Sequence, residues 1–236
     1  GTGDFVFLNT VLNNTGLVDV QAGQLQFGSG GTSTGEFRST AGASIGLIGG
    51  TQTWQTGTTV SGAGVIVVAG GTLAVEGSVS IPRLTLADGG TLAGTGTLTL
   101  TGVGSQWSGG VMTGGGTTRI ATGGELSVIG GVRKYVGTRV IQNEGLLIEA
   151  STGDWLEYEG AAVLNNVGTF EIRGNQSWEH EFGSAGSLTL NNSGTLKKTT
   201  GTGDFYFADT ILSNAGLVEV SSGILGSGGG GVAEGN

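Results

Sequence analysis

Leu164-Asn-Asn166-Val-Gly168-Thr-Phe170-Glu-Ile172 is the stretch that decides the fold. It reads as apolar, x, Asn, x, Gly, followed by residues that alternate between apolar and polar. Alternation of period two is the signature of a strand with one buried face. The Asn-x-Gly ahead of it reads as a corner, because asparagine tolerates the left-handed conformation and glycine adopts positive φ freely. The pattern recurs as Leu12-Asn-Asn14-Thr-Gly16, Ile141-Gln-Asn143-Glu-Gly145, Leu190-Asn-Asn192-Ser-Gly194 and Leu212-Ser-Asn214-Ala-Gly216. From Gly145 onward the corner glycines lie 23, 26 and 22 residues apart.

A fixed spacing of this size is the mark of a repeat architecture in which each circuit is one coil. Stacked corners would let the asparagine side chains hydrogen-bond along the stack as a ladder. The structural turn ladder is therefore expected at Asn14, Gly16, Asn143, Gly145, Asn166, Gly168, Asn192, Gly194, Asn214 and Gly216. A second coil type, with Gly-Gly at the turn, fills the middle of the chain: Gly70-Gly-Thr-Leu-Ala-Val75, Gly89-Gly-Thr-Leu92 and Gly123-Gly-Glu-Leu-Ser-Val128. In Thr95-Gly-Thr-Leu-Thr-Leu-Thr101 the leucines are expected to face inward and the threonines outward. The fold class read from these repeats is all-β, a single-stranded β-solenoid with about 20–26 residues per coil.

Composition agrees. Glycine supplies 52 of 236 residues, against an ordinary share of about 7%. Glycine in a helix interior costs about 1 kcal/mol relative to alanine, so a nearly helix-free chain is expected. There is one proline, so collagen is excluded, and apolar residues recur too regularly for a disordered linker. The absence of cysteine excludes a disulfide scaffold and a thiolate metal site, and suits exposure to oxidising surroundings outside a bacterial cell. No apolar run is long enough for a membrane-spanning helix. A narrow tube is what 36% apolar residues can fill, because each coil contributes only a few inward side chains.

A longer period is also present. Residues 1–25 align with residues 201–225, with 15 identities in 25 positions. The whole chain, 1–236, is read as one continuous solenoid segment. Residues 1–200 are approximately one long-period module and 201–236 the start of the next. The abrupt opening, Gly1-Thr-Gly-Asp4, is read as an excised piece of something longer.

The segments Ala87-Asp-Gly-Gly-Thr-Leu-Ala-Gly-Thr-Gly-Thr-Leu-Thr-Leu100 and Trp107-Ser-Gly-Gly-Val-Met-Thr-Gly-Gly-Gly-Thr-Thr118, with the Asn-Asn-x-Gly turns, resemble bacterial secreted surface proteins with β-strand repeats. These are chains of the autotransporter-like and adhesin-like kind. The resemblance covers almost the whole chain and implies a right-handed parallel β-helix. It also implies an extracellular or bacterial cell-surface location and a structural role in a fibre, stalk or adhesin, with no catalysis and no cofactor. The expected partners are further copies of the module, stacked end to end by their coils, and cell-surface or matrix polysaccharide.

Charge is unevenly placed. Residues 1–140 hold six acids and six bases, whereas 141–236 hold twelve acids and three bases and so carry the net charge of −9. An acidic balance argues against nucleic acid. Glu157, Glu159, Glu179 and Glu181 are the candidate ligand or ion face. Carboxylates on neighbouring coils of a strand stack could lie roughly 5 Å apart, the separation a retaining glycosidase uses, so a polysaccharide-degrading or carbohydrate-binding β-helix is the alternative. The plainer reading is a solvated face that keeps a glycine-rich rod soluble.

His180, the only histidine, alternates with Trp178 and Phe182 and reads as a strand residue beside aromatic neighbours rather than a metal ligand. Phe5, Phe7, Trp155, Trp178, Phe205 and Phe207 follow turns, with Trp155 and Trp178 one coil apart. They are expected to stack in the tube; a surface row for sugar rings is the alternative. An outward hydroxyl array of Thr97, Thr99 and Thr101 is too short for an ice-binding surface. No catalytic constellation, metal site, phosphate loop or calcium-binding nonapeptide is found.

Overall fold

A computed structural model describes residues 3–153, 156–180 and 186–228, together with the backbone strand of 231–233. Trp155, Glu181 and Phe182 lie outside the described residues. Among the described residues there is no helix; short strands follow one another from Phe5 onward. Every strand pairing is parallel. The architecture is the β-solenoid read from the repeats.

Each coil has three faces, visited in a fixed order. The first face stacks eleven strands, from Phe5–Phe7 and Gln24–Phe27 up to Thr195–Lys198 and Leu217–Val220. The second stacks ten, from Gly31–Ser33 to Ile224–Ser227. The third begins as three strands ending at Thr59–Ser61. It continues beside that strand as eight, from Ser78–Ile81 to Gly231–Ala233.

Coil length varies with corner type. Ile66 pairs with Leu84 only eighteen residues on, and Leu73 with Leu92 nineteen residues on. These coils are shorter than the expected 20–26, because the intervening Gly-Gly corners turn in two residues. Gly70 and Gly89 there have φ of +84° and +71°, the left-handed region that glycine enters without steric penalty. The longest coil, 29 residues, separates Trp178 from Phe207 and exceeds the expected range.

Alternate residues point inward and fill the tube. On the first face Leu47, Val68, Leu86, Trp107 and Val128 form one buried column. On the third, Val79, Ile81, Leu98 and Leu100 are buried while Thr97 and Thr99 are not, as the alternation required. Trp54, Trp107 and Trp178 are all inside. Near the C-terminal end, Phe170, Trp178, Phe205 and Phe207 pack in tilted and edge-to-face pairs at centroid distances of 5.0–6.5 Å. Phe5 is the exception: its strand is the outermost of the first face, and 59% of its surface is exposed.

The long-period repeat lands on different faces. Phe5–Phe7 belongs to the first face, and its counterpart Asp204–Phe207 belongs to the second. Leu17–Val20 lies on the third face, and its counterpart Leu217–Val220 on the first. Local pairing is nonetheless the same: Phe5 pairs with Leu25 as Phe205 pairs with Leu225.

Candidate functional site

The inward column of the third face changes character along the rod. It runs Ile81, Leu100, Ile120 and then Asn143, Asn166, Asn192 and Asn214. Asn143, Asn166 and Asn192 are fully or almost fully buried. Buried amides must be hydrogen-bonded, and these satisfy one another. Asn143 Nδ2 donates to Asn166 Oδ1 at 2.7 Å, Asn166 Nδ2 to Asn192 Oδ1 at 2.6 Å, and Asn192 Nδ2 to Asn214 Oδ1 at 2.6 Å. Each Nδ2 also donates across the corner to a backbone carbonyl, at Thr169, Thr195 and Leu217. Only Asn143 Oδ1, at the ladder's start beside Ile120, lacks a donor.

The expected ladder is thus observed for four asparagines. Asn14 does not join it. It lies on the second face, bridged to Ser33, and donates to Glu36 O at 3.0 Å. This is the same cross-corner bond, with serine in the seat of the next asparagine.

The conformational reason expected for these corners is corrected. None of the five asparagines has positive φ, and neither do Gly16, Gly145, Gly168, Gly194 or Gly216. Space is what demands glycine. A Cβ on Gly168, Gly194 or Gly216 would sit 2.2–2.3 Å from the carbonyl oxygen of the glycine one coil before. On Gly145 it would meet Ala121 O at 2.3 Å. Gly16 has nothing within 4 Å, since no coil lies beneath it.

Outside the ladder runs a trough that the sequence reading did not single out. Gln142, Asn165, Asn191 and Ser213 follow one another in register on the outer side of the third face. Val167, Ser193 and Ala215 form the crest of the corner beside them. Together with Asn192 and Asn214 they line a groove of about 630 Å³. Asn191 Nδ2 donates to Asn165 Oδ1 at 2.9 Å. At the next coil down Arg119, the register neighbour of Gln142, is paired with Glu144, with Nε–Oε1 at 2.9 Å. The lining carries no charge: amides and hydroxyls that both donate and accept stand beside the apolar Val167 and Ala215. The signal was present in the doublets Asn165-Asn166 and Asn191-Asn192, where alternation sends the first side chain out and the second in.

Of the four acidic candidates, Glu157, Glu159 and Glu179 lie among the described residues. Glu157 and Glu179 are register neighbours on the second face. Glu157 is nearly buried, and its Oε1 lies 3.2 Å from Arg133 Nη1. Glu159 lies just past its strand, on the exposed surface. His180 Nδ1 is 2.5 Å from Asp209 Oδ2 at the surface. Among the described residues no three His, Asp or Glu side chains converge as a metal site would require.

Buried charge inside the tube was not anticipated. Glu149 replaces the apolar residue of the first-face column, between Val128 and Ile172. Its carboxylate accepts from Trp178 Nε1 and from Ser151 N, both at 2.7 Å. Burial outweighs these bonds and holds the carboxyl above the ordinary glutamate range. Arg139, wholly buried, donates to Thr118 Oγ1 and to the carbonyls of Gly94, Thr113 and Thr117; desolvation draws it down to about 10. Lys198 occupies the same column as Glu149, two coils on.

Comparison with protein-family models, with curated proteins and with solved structures returned no match.

Proposed function

We propose that the chain is a structural segment of an extracellular bacterial fibre, stalk or adhesin, extended by coil stacking and without catalysis. The observation that carries this reading is the pair of bare, apolar strand edges. Phe5, Leu8 and Val11 are exposed at one end, and Leu217, Val218 and Val220, on the last strand of the first face, at the other. Open strand edges of this kind are templates for further pairing. The recurrence of residues 1–25 at 201–225 as the same paired coil supplies the matching unit. The engagement of Glu157 with Arg133 and the burial of Trp54, Trp107 and Trp178 support the non-catalytic side of the reading. Electron microscopy of a two-unit chain, residues 1–200 followed directly by 1–236, tests it. One continuous thin rod is expected, and two separate beads overturn it.

The trough supports carbohydrate binding as a second reading. Its neutral amides repeat once per coil, at the strand spacing of about 4.8 Å, which suits an uncharged, linear, hydroxyl-rich polymer. Binding on an array of neutral polysaccharides, lost in Asn165→Ala and Asn191→Ala, is the expected result. A silent array removes this reading and leaves the structural one standing.

A further inference from the structure

The face change of the long-period repeat has a geometric cause. Before residue 200 the first face holds ten strands, from Phe5–Phe7 to Thr195–Lys198. The third face holds nine over the same span. The second holds eight named strands plus the extended segment at Leu12–Asn14, whose amides donate to Gly30 O and Thr32 O. The period is therefore nine complete coils and one face.

What lies beneath the repeated coil is visible only at its second occurrence. Phe207 pairs with Trp178, Thr210 with Leu188, and Leu217 with Thr195. At the first occurrence the equivalent residues, Phe7, Thr10 and Leu17, have a bare edge beneath them, and Phe5 is 59% exposed where its counterpart Phe205 is fully buried.

We propose that residues 5–20 are the upper half of a joint whose lower half is residues 178–180 and 186–198 of a preceding copy, and that each joint turns the next unit by one face. This rests on the tandem reading above and fixes its register. Phe7 meets Trp178 of the preceding unit, Thr10 meets Leu188, and Asp19 meets Lys197, as Glu219 meets Lys197 here. A unit's first face continues the preceding unit's second face, its second the third, and its third the first. Any surface feature of one unit, the trough included, then recurs on the next face round and returns to its starting side with every third unit. A rod so built presents the same binding surface to all sides, which a period of whole coils would not do.

The two-unit chain tests this as well. The native sequence has no cysteine, so an introduced pair is unique. Lys197→Cys in the first unit with Asp19→Cys in the second is expected to crosslink through a short bismaleimide several-fold faster than Asn191→Cys with Asp19→Cys. Asn191 lies on the third face, where the second unit's residue 19 would sit if units stacked without turning. Rods in which the Asn191 pair reacts faster, or in which neither pair reacts, overturn the one-face turn while leaving the fibre reading intact. Two unconnected beads in the microscope overturn both.

Discussion

Asn166 donates its side-chain amide to Asn192 at 2.6 Å, and the two residues stand one coil apart inside the tube. The link has an acceptor side and a donor side, so position in the ladder sets the cost of breaking it. Asn166→Ala leaves one N–H of Asn143 and the acceptor of Asn192 unpaired together. An orphaned buried polar group costs about 1–3 kcal/mol. Asn143→Ala removes an end residue whose Oδ1 already lacks a donor. Urea unfolding should therefore show Asn166→Ala losing roughly twice as much stability as Asn143→Ala. Equal losses would mean that the amides act as independent corner bonds.

Glycine at the corners separates steric from conformational need. At Gly168 and Gly194 an added methyl would overlap a carbonyl oxygen of the coil before, at 2.3 and 2.2 Å. The stacked backbones must then move apart, and a loss of more than about 2 kcal/mol is expected for either alanine variant. Gly16 has the same sequence context, ordinary φ and open space. Gly16→Ala should be neutral or stabilising by up to about 1 kcal/mol, through the entropy of the unfolded chain. Melting temperatures of the three variants decide the matter. A costly Gly16→Ala would show that the corner conformation itself requires glycine.

Residues with a period were legible in the sequence, and residues that break one were not. The asparagine doublets placed the corners, and alternation in segments such as Thr97–Leu100 placed the core. The cause assigned to the corner glycines failed, because the clash is with a residue one coil away and no local rule reports it. Glu149, Arg139 and Lys198 were read as part of a charge balance, yet each is fully buried. Each occurs once, and each has partners more than 20 residues off, as Trp178 is from Glu149, Gly94 from Arg139 and Gly174 from Lys198. The change of face between residues 5 and 205 needed a strand count that composition cannot supply.

Glu149 gives the chain a pH dependence of unusual sign. Its folded-state carboxyl is held above the ordinary value of 4.5 by burial, so the fold favours the protonated form. Its contribution is full below that value and is lost as pH rises through the raised one. Asp19, Glu144 and Glu171 are held low by hydrogen bonds to Arg38, Arg119 and Arg173, so their contributions are lost on acidification instead. Comparison with Glu149→Gln isolates the first effect. The stability of the native chain minus that of the variant should fall as pH rises above 4.5, and level off only once the raised value is passed. A difference that stays flat across this range would show that the Trp178 and Ser151 bonds offset the burial in full.

Lys198 is the sharpest test of buried charge in the tube. Its Nζ lies 2.9 Å from Thr200 O, 3.0 Å from Gly201 O, and 3.2 Å from both Gly174 O and Asn175 Oδ1. An ammonium has three protons to give, so four oxygens share them and form a small cage. Lys198→Met keeps the stem and removes the donors, and the cage oxygens lose their partner at about 1–3 kcal/mol for each group that water cannot reach. Lys198→Ala adds the cost of lost side-chain packing and opens room beside the same oxygens. Ammonium chloride should then raise the unfolding midpoint of Lys198→Ala relative to an equal ionic strength of tetramethylammonium chloride. Lys198→Met and the native chain, whose cages are blocked or filled, should respond equally to the two salts. If Lys198→Ala also fails to distinguish them, the lysine acts through its stem alone.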